Sequence, residues 1–214
     1  MPTTLILVRH GESRANSEKF FAGQLDVELS ELGRRQAEMT AEYVSSAYEV
    51  DKIYSSTLTR SYDTAKTISE RTGLDIIPRD DLREINSGDW QGLHFDELQE
   101  KYSDSYGAWL RDIGKAQAPH GESVKELYQR IWGAIENIAS ENPDDTVVIS
   151  THATPIRAVV CRLKGYPVEE MKNVPWGSNA SITVVKYDGG KWSLVLESFD
   201  EHLYDMKTRF PANV

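Results

Sequence analysis

The chain has 214 residues, a single cysteine, and 24 Lys and Arg against 34 Asp and Glu, for a formal net charge of −10. So acidic a chain lacks the clustered cations that a phosphate backbone requires, and no apolar run approaches the roughly 18 residues of a membrane span. Nucleic-acid and membrane partners are therefore not expected. The lone Cys161 excludes an internal disulfide and fits a reducing cytoplasm, while 39% apolar residues suffice for the core of one domain over residues 1–214.

In chain order, "LILV" at Leu5 to Val8 is a short continuous apolar run. It reads as a strand buried on both faces rather than the core of a signal peptide, because no basic segment precedes it. "LSELGRRQAEMTAEYVSSAY" carries apolar residues at helical spacing, with Ser30 as its cap. "VDKIYSS" is a second strand, and "TLTRSYDTAKTISERTG" a second helix that Thr57 would cap and Gly73 would end. "LDIIPRD" is a third strand. Residues 82–121 are less regular, rich in Gly, Asp, Ser and aromatic side chains, with short helical fragments.

Ser123 and Glu126 then form a capping box for a long helix reaching about Asn142. "DTVVISTH" is a fourth strand. "TPIRAVVCRLKG" is a helix with Thr154 at the cap, Pro155 in the first turn and Gly165 at the stop. "SITVVKYDGGKWSLVLESF" is two alternating strands joined through "DGG", a hairpin. Strands alternating with helices predict an α/β fold: a three-layer α/β/α sandwich with a mainly parallel mixed sheet, an edge hairpin, and an insertion over the carboxyl edge of the strands.

Ligands of such sheets bind beyond the carboxyl ends of the strands. The first strand ends in "VRHGES", the second runs into "SSTLTR", and the fourth ends in "ISTHATP". Arg9, His10, Arg60 and His152 thus gather at one edge. Any one of them alone is explained as a solvated charge or a hydrogen-bonded polar residue. Four at equivalent strand ends are not. Two guanidinium forks match phosphate oxygens, and the helix start after His152 favours an anion. A neutral imidazole there can attack phosphorus, with the second histidine as a charged donor to the phosphoryl oxygens. Zinc fits poorly, since the five histidines show no ligand spacing and no cysteine pair exists. A departing alkoxide needs a proton, for which Glu84, Asp89 and Glu12 are the candidates, and spacing does not choose among them.

"LVRHGES" with Asn16, "AGQLDVELSELGRRQA", "SSTLTRSYDTA", "LREINSGDWQG" and "STHATPIR", in that order, resemble the histidine phosphatase superfamily in its branch of cofactor-dependent phosphoglycerate mutases. The resemblance implies that His10 is the phosphorylated nucleophile, that Arg9, Arg60 and His152 belong to the phosphoryl site, and that Glu84 is the acid. It also puts Asn16, Gly23, Gln24 and Ala153 in contact with phosphate or substrate. Ala153 stands where the family usually has glycine, Thr57 where proline is common and Ser61 where alanine is. If position 153 required a positive φ, alanine would cost about 1 kcal/mol there.

Glycolytic mutases of the family carry a run like "ERHYG" and then "LNK" after the acid. Here the stretch reads "REINSGDWQGLHFDELQEKY", with neither. Few cations follow Glu84, and Trp90, Phe95, Tyr102, Tyr106 and Trp109 either line a pocket or pack the insertion on the sheet. The resemblance therefore points to a metal-independent phosphomonoester phosphatase acting on small phosphorylated metabolites, with no cofactor. The alternative is a phosphoglycerate mutase that needs 2,3-bisphosphoglycerate. An α-ribazole-phosphate phosphatase and a non-catalytic phospho-ligand-binding module come after it. A homodimer is compatible with the sequence.

Overall fold

The computed structural model describes residues 1–208 of the chain. At its centre is β1 (Thr3–Arg9), in which Leu5, Ile6, Leu7 and Val8 are all completely buried. Successive side chains of a strand point to opposite faces. Leu5 and Leu7 accordingly enter one hydrophobic core, and Ile6 and Val8 the other. Each such side chain removed from water contributes roughly 1.5–3 kcal/mol, so the run stays apolar until the sheet's edge, where Arg9 begins the chemistry.

The other strands are β2 (Lys52–Ser56), β3 (Ile76–Arg79), β4 (Thr146–Thr151), β5 (Ile182–Asp188) and β6 (Lys191–Phe199). They form one sheet in the order β3-β2-β4-β1-β5-β6. The first four in that order run parallel, whereas β5 is antiparallel to both β1 and β6. The hairpin at the edge is as read, its turn made by Gly189 and Gly190 at φ 53° and 97°. Register decides the site. Arg9 of β1 sits opposite Thr151 of β4, and the His10 N–H donates to the Thr151 carbonyl at 3.0 Å. His10 and His152 therefore leave the sheet side by side.

The helices are α1 (Arg14–Glu18), α2 (Glu31–Ala47), α3 (Thr59–Thr72), α4 (Phe95–Lys101), α5 (Ser103–Arg111), α6 (Val124–Glu141) and α7 (Ala153–Leu163). Ala41 and Val44 of α2 with Ala65 and Ile68 of α3 cover the face bearing Ile6 and Val8. Ile131 and Ile135 of α6 with Val159 and Val160 of α7 cover the other. Helices α4 and α5 lie in the insertion, where Trp90, Tyr106 and Trp109 are buried in that second core. Among the described residues no helix is long and apolar enough to cross a membrane.

Two caps differ from expectation. Thr57 does not cap α3: its hydroxyl donates to Asp80 and accepts from Arg83. The first turn is held instead by Asp26, whose carboxylate accepts from the Thr59 N–H at 2.8 Å and the Thr59 hydroxyl at 2.9 Å. Helix α7 begins earlier than Thr154, with His152 as its N-cap residue and no side-chain capping bond. Ala153 is thus helical, the condition of a positive φ is not met, and the alanine carries no strain. The short α1, absent from the sequence reading, is closed by a box between Ser13 and Asn16.

Gly11 follows His10 because α2 comes in backbone to backbone. A Cβ on Gly11 would stand 2.2 Å from the Gly33 carbonyl oxygen, and one on Gly33 would stand 1.9 Å from that of Glu12. Neither neighbour is a side chain that could swing away. Gly33→Ala is expected to destabilise the fold by roughly 1–3 kcal/mol, as overpacking does, and to pull α2 off the loop after β1. A denaturant midpoint unchanged from the parent would contradict that close approach.

Candidate active site

Arg9, His10, Arg60 and His152 meet beyond the carboxyl ends of β1 and β4, where they are 5%, 4%, 2% and 0% exposed. The imidazole rings of His10 and His152 lie edge to face with centroids 5.1 Å apart. His10 Nδ1 is 2.7 Å from the Gly11 carbonyl oxygen. That oxygen only accepts, so the proton sits on Nδ1 and Nε2 keeps its lone pair. The Arg60 Nε–H donates to this same Nε2 at 3.3 Å. A lone pair in contact with a guanidinium marks where a nucleophile and an anion would meet.

Arg60 is aimed by carbonyls. It donates to Gly23 at 2.8 Å and to Leu25 at 3.0 Å. This explains the "AGQ" turn: Gly23 has φ 51°, and a Cβ there would stand 2.0 Å from Ser87 Oγ. Arg9 donates to the Gly177 carbonyl at 2.5 Å. Burial pulls both guanidiniums down to about 10, with Glu84 acting in the opposite sense, so both remain cations at neutral pH.

Burial, and then Arg60 and Arg9, hold His10 well below the ordinary imidazole range. It is neutral, as a nucleophile must be. Burial and Arg60 push His152 the same way, followed by His10, Arg130 and Arg9. Where a charged donor was expected, burial favours the neutral form of the His152 imidazole. Its Nε2 lies 2.8 Å from Ser56 Oγ, and its buried Nδ1 has no partner among the described residues.

Of the three carboxylates, Glu84 and Glu12 line the cavity and Asp89 does not. Glu84 lines the cavity with Arg9, His10 and Arg60. Its Oε1 accepts from the Ile85 N–H at 2.8 Å, and its Oε2 from the Thr154 N–H at 3.3 Å. Burial nonetheless raises its pKa above the usual carboxylate value, against the lowering pull of those bonds and of Arg60. Asp89 is exposed, 3.0 Å from His120 Nδ1, and does not line the cavity. Glu12 does line it, with Oε1 accepting from the Ser30 hydroxyl at 2.7 Å.

Asn16, Gly23 and Ala153 line the cavity as expected. The Asn16 Oδ1 accepts from the Ser13 N–H and hydroxyl and from Asn179 Nδ2, which leaves its amide donors for an anion. Gln24 departs from expectation. It is not among the lining residues, and its Nε2 donates to the Glu84 carbonyl at 2.9 Å, so it braces the acid's backbone from behind. Arg130 of α6 braces the same loop, donating to the carbonyls of Asp81 and Arg83 at 2.9 Å and of Glu84 at 3.3 Å.

The cavity measures about 430 Å³. Five aromatic residues also line it: Phe20, Phe21, Phe95, Trp109 and Trp176. Of the aromatic residues expected in the insertion, Phe95 and Trp109 reach it, and Trp109 also packs the core. Sequence reasoning missed Phe20, Phe21 and Trp176, and with them Lys19, a cavity-lining cation held at φ 61° at the end of α1. The "KFF" run directly after α1 was the one local signal. Among the described residues no group of three or more His, Cys, Asp or Glu could hold a metal ion.

Comparison with known proteins places the chain in a family. The family model described as histidine phosphatase superfamily (branch 1) matches residues 5–199. Phosphoserine phosphatase 1 of Hydrogenobacter thermophilus is 38% identical over 182 residues, 85% of each chain. The metal-independent phosphoserine phosphatase of Arabidopsis thaliana is 32% identical over 203 residues, 94% of this chain and 83% of that one. Among solved structures, a mycobacterial glucosyl-3-phosphoglycerate phosphatase in complex with VO3 superposes with a TM-score of 0.84 at 32% identity, covering 92% of this chain and 99% of that one.

Proposed function

The chain belongs to the histidine phosphatase superfamily, branch 1, and on that premise we propose that it hydrolyses small phosphomonoesters through a phosphohistidine on His10, with no metal. The observation that carries this reading is a neutral His10, its Nε2 lone pair against Arg60, in the same cavity as a carboxyl that burial keeps protonated to higher pH. In the first step Nε2 attacks phosphorus in line and the bond to the leaving oxygen breaks, while Glu84 gives that oxygen its proton. Arg9 and Arg60 hold the non-bridging oxygens where charge develops, and the neutral His152, its ring edge to face with that of His10, backs the nucleophile from outside the cavity lining. In the second step Glu84, now a carboxylate, takes a proton from water as it attacks. The P–N bond breaks, orthophosphate leaves, and His10 and Glu84 return to their starting states.

A metal is not needed to offset the phosphate charge, since two guanidiniums do so and would repel a divalent ion beside them. Phosphate release in excess EDTA is expected to stay within a factor of two of its value without chelator. Loss in EDTA, restored by a divalent ion, would contradict the proposal.

The size and aromatic wall of the cavity favour leaving groups bulkier and flatter than a phosphoglycerate. Phosphoserine is a second reading. The relatives' names support it, as does the presence of both Lys19 and Glu12 among the lining residues, a cation for a carboxylate and an anion for an ammonium. Apart from Arg9 and Arg60, Lys19 is the only Lys or Arg among the described residues lining the cavity, a poor provision for turning over a bisphosphorylated intermediate. The test is phosphate release from an aryl phosphate, phosphoserine, sugar phosphates and 3-phosphoglycerate. The last is also assayed for 2-phosphoglycerate with and without 2,3-bisphosphoglycerate. Free phosphate without isomerisation supports the hydrolase, and isomerisation that outpaces release would make it a mutase.

A further inference from the structure

Arg157, on α7 one turn beyond His152, is 5% exposed and does not line the cavity. Its Nε donates to the Val174 carbonyl and its Nη2 to the Met171 carbonyl, both at 2.9 Å. Its guanidinium carbon stands 3.9 Å from the centre of the Trp176 ring. Trp176 also meets Trp109, with ring centroids 6.2 Å apart, and both indoles line the cavity. The segment ends at Gly177, whose carbonyl takes the hydrogen bond from Arg9.

Residues 171–177 are therefore pinned between two arginines, one belonging to the phosphate site and one buried behind it. Burying a guanidinium among carbonyls carries a desolvation cost, and a methionine would fill the space without it. What methionine lacks is the fork that spans two carbonyls and the charged plane that stacks on an indole.

We infer that Arg157 is a positioning residue that sets leaving-group selectivity, by holding the 171–177 segment so that Trp176 stands as a wall at a fixed distance from the phosphoryl clamp. It rests on the phosphomonoester reading of the same site, because the wall matters only if the ligand's remainder lies against it. The reach of the effect is limited. Phosphate would be held by Arg9, Arg60 and His10; of these only Arg9 meets the segment, at the Gly177 carbonyl, while Arg60 and His10 are anchored elsewhere, so phosphate affinity should depend on Arg157 only weakly. A ligand with a flat apolar group should depend on it strongly.

The test is binding without turnover, by calorimetry, of inorganic phosphate and of the non-hydrolysable naphthylmethylphosphonate to the parent, Arg157→Lys, Arg157→Met and Trp176→Ala. Arg157→Met preserves side-chain volume and so gives a second variant should the lysine pack badly. Both Arg157 substitutions are expected to weaken the arylphosphonate at least tenfold while phosphate changes less than twofold. Trp176→Ala should show the same split, and Arg157→Lys added to it should weaken binding no further. The inference is overturned if both affinities fall together in the Arg157 variants, if their ratio stays at the parent value, or if Trp176→Ala leaves the ratio unmoved. Because no hydrolysis is measured, a protein that binds both ligands but releases no phosphate would refute the phosphatase reading alone.

Discussion

His10→Ala is expected to release phosphate at least about 10⁴-fold more slowly than the parent, whatever the ester, because it removes the one imidazole that lines the cavity among the described residues. His152 is the only rival by chemistry. It is fully buried, its Nε2 is occupied with Ser56, and it does not line the cavity. The clamp survives the substitution, since Arg60 is oriented by the Gly23 and Leu25 carbonyls and Arg9 by that of Gly177, none of which His10 supplies. Calorimetry should accordingly find phosphate still bound by a protein that no longer turns over. Residual turnover within tenfold of the parent would move the nucleophile elsewhere.

Glu84→Gln separates the two chemical steps. With a poor leaving group, such as a serine or sugar alkoxide, kcat/KM should fall about 10²- to 10⁴-fold, the usual worth of a positioned proton donor. With an activated aryl phosphate the proton hardly matters to departure. The variant should then give a burst of phenol close to one per active site, followed by slow turnover as water attacks without its base. The pH profile carries the same information. Glu84 acts first as an acid, so the parent's rate on poor leaving groups should fall as pH rises through its pKa, which burial places above the ordinary carboxylate value. His10 stays neutral well below the usual imidazole range, so no acid limb is expected near pH 6.5. In Glu84→Gln the alkaline limb should vanish. An equal loss of burst and steady rate for both classes of ester would remove Glu84 from the acid role.

Why the sequence disclosed some of this and not the rest is a matter of range. "LILV" announced a strand buried on both faces, because its alternate residues serve two cores and neither tolerates polarity. The convergence of Arg9, His10, Arg60 and His152 followed from topology, since parallel neighbours deliver their carboxyl ends to one edge. The choice of Glu84 over Asp89 and Glu12 came only with the family resemblance; cavity position, which sets Glu84 and Glu12 apart from Asp89, depends on how the insertion folds back. Thr57 failed as a cap because Asp80 and Arg83, more than 20 residues away, take its hydroxyl, while Asp26 reaches in to hold the turn. A charge on His152 was a sensible expectation for a histidine near an anion. It did not allow for the burial of the ring itself, the largest influence on its charge, with Arg60 next. The aromatic wall was least legible, because Phe20, Phe21 and Trp176 come from loops with no periodicity, and Trp176 is held by an arginine 19 positions earlier on α7.

The most direct test of the central claim is to quench the enzyme in base during turnover of an aryl phosphate and map the phosphoryl group by mass spectrometry and ³¹P NMR. The mechanism predicts one base-stable, acid-labile phosphoryl group per chain, on Nε2 of His10, formed and lost as fast as turnover requires. Turnover with no phosphohistidine at His10, or with the label on His152 or on a hydroxyl, would contradict it.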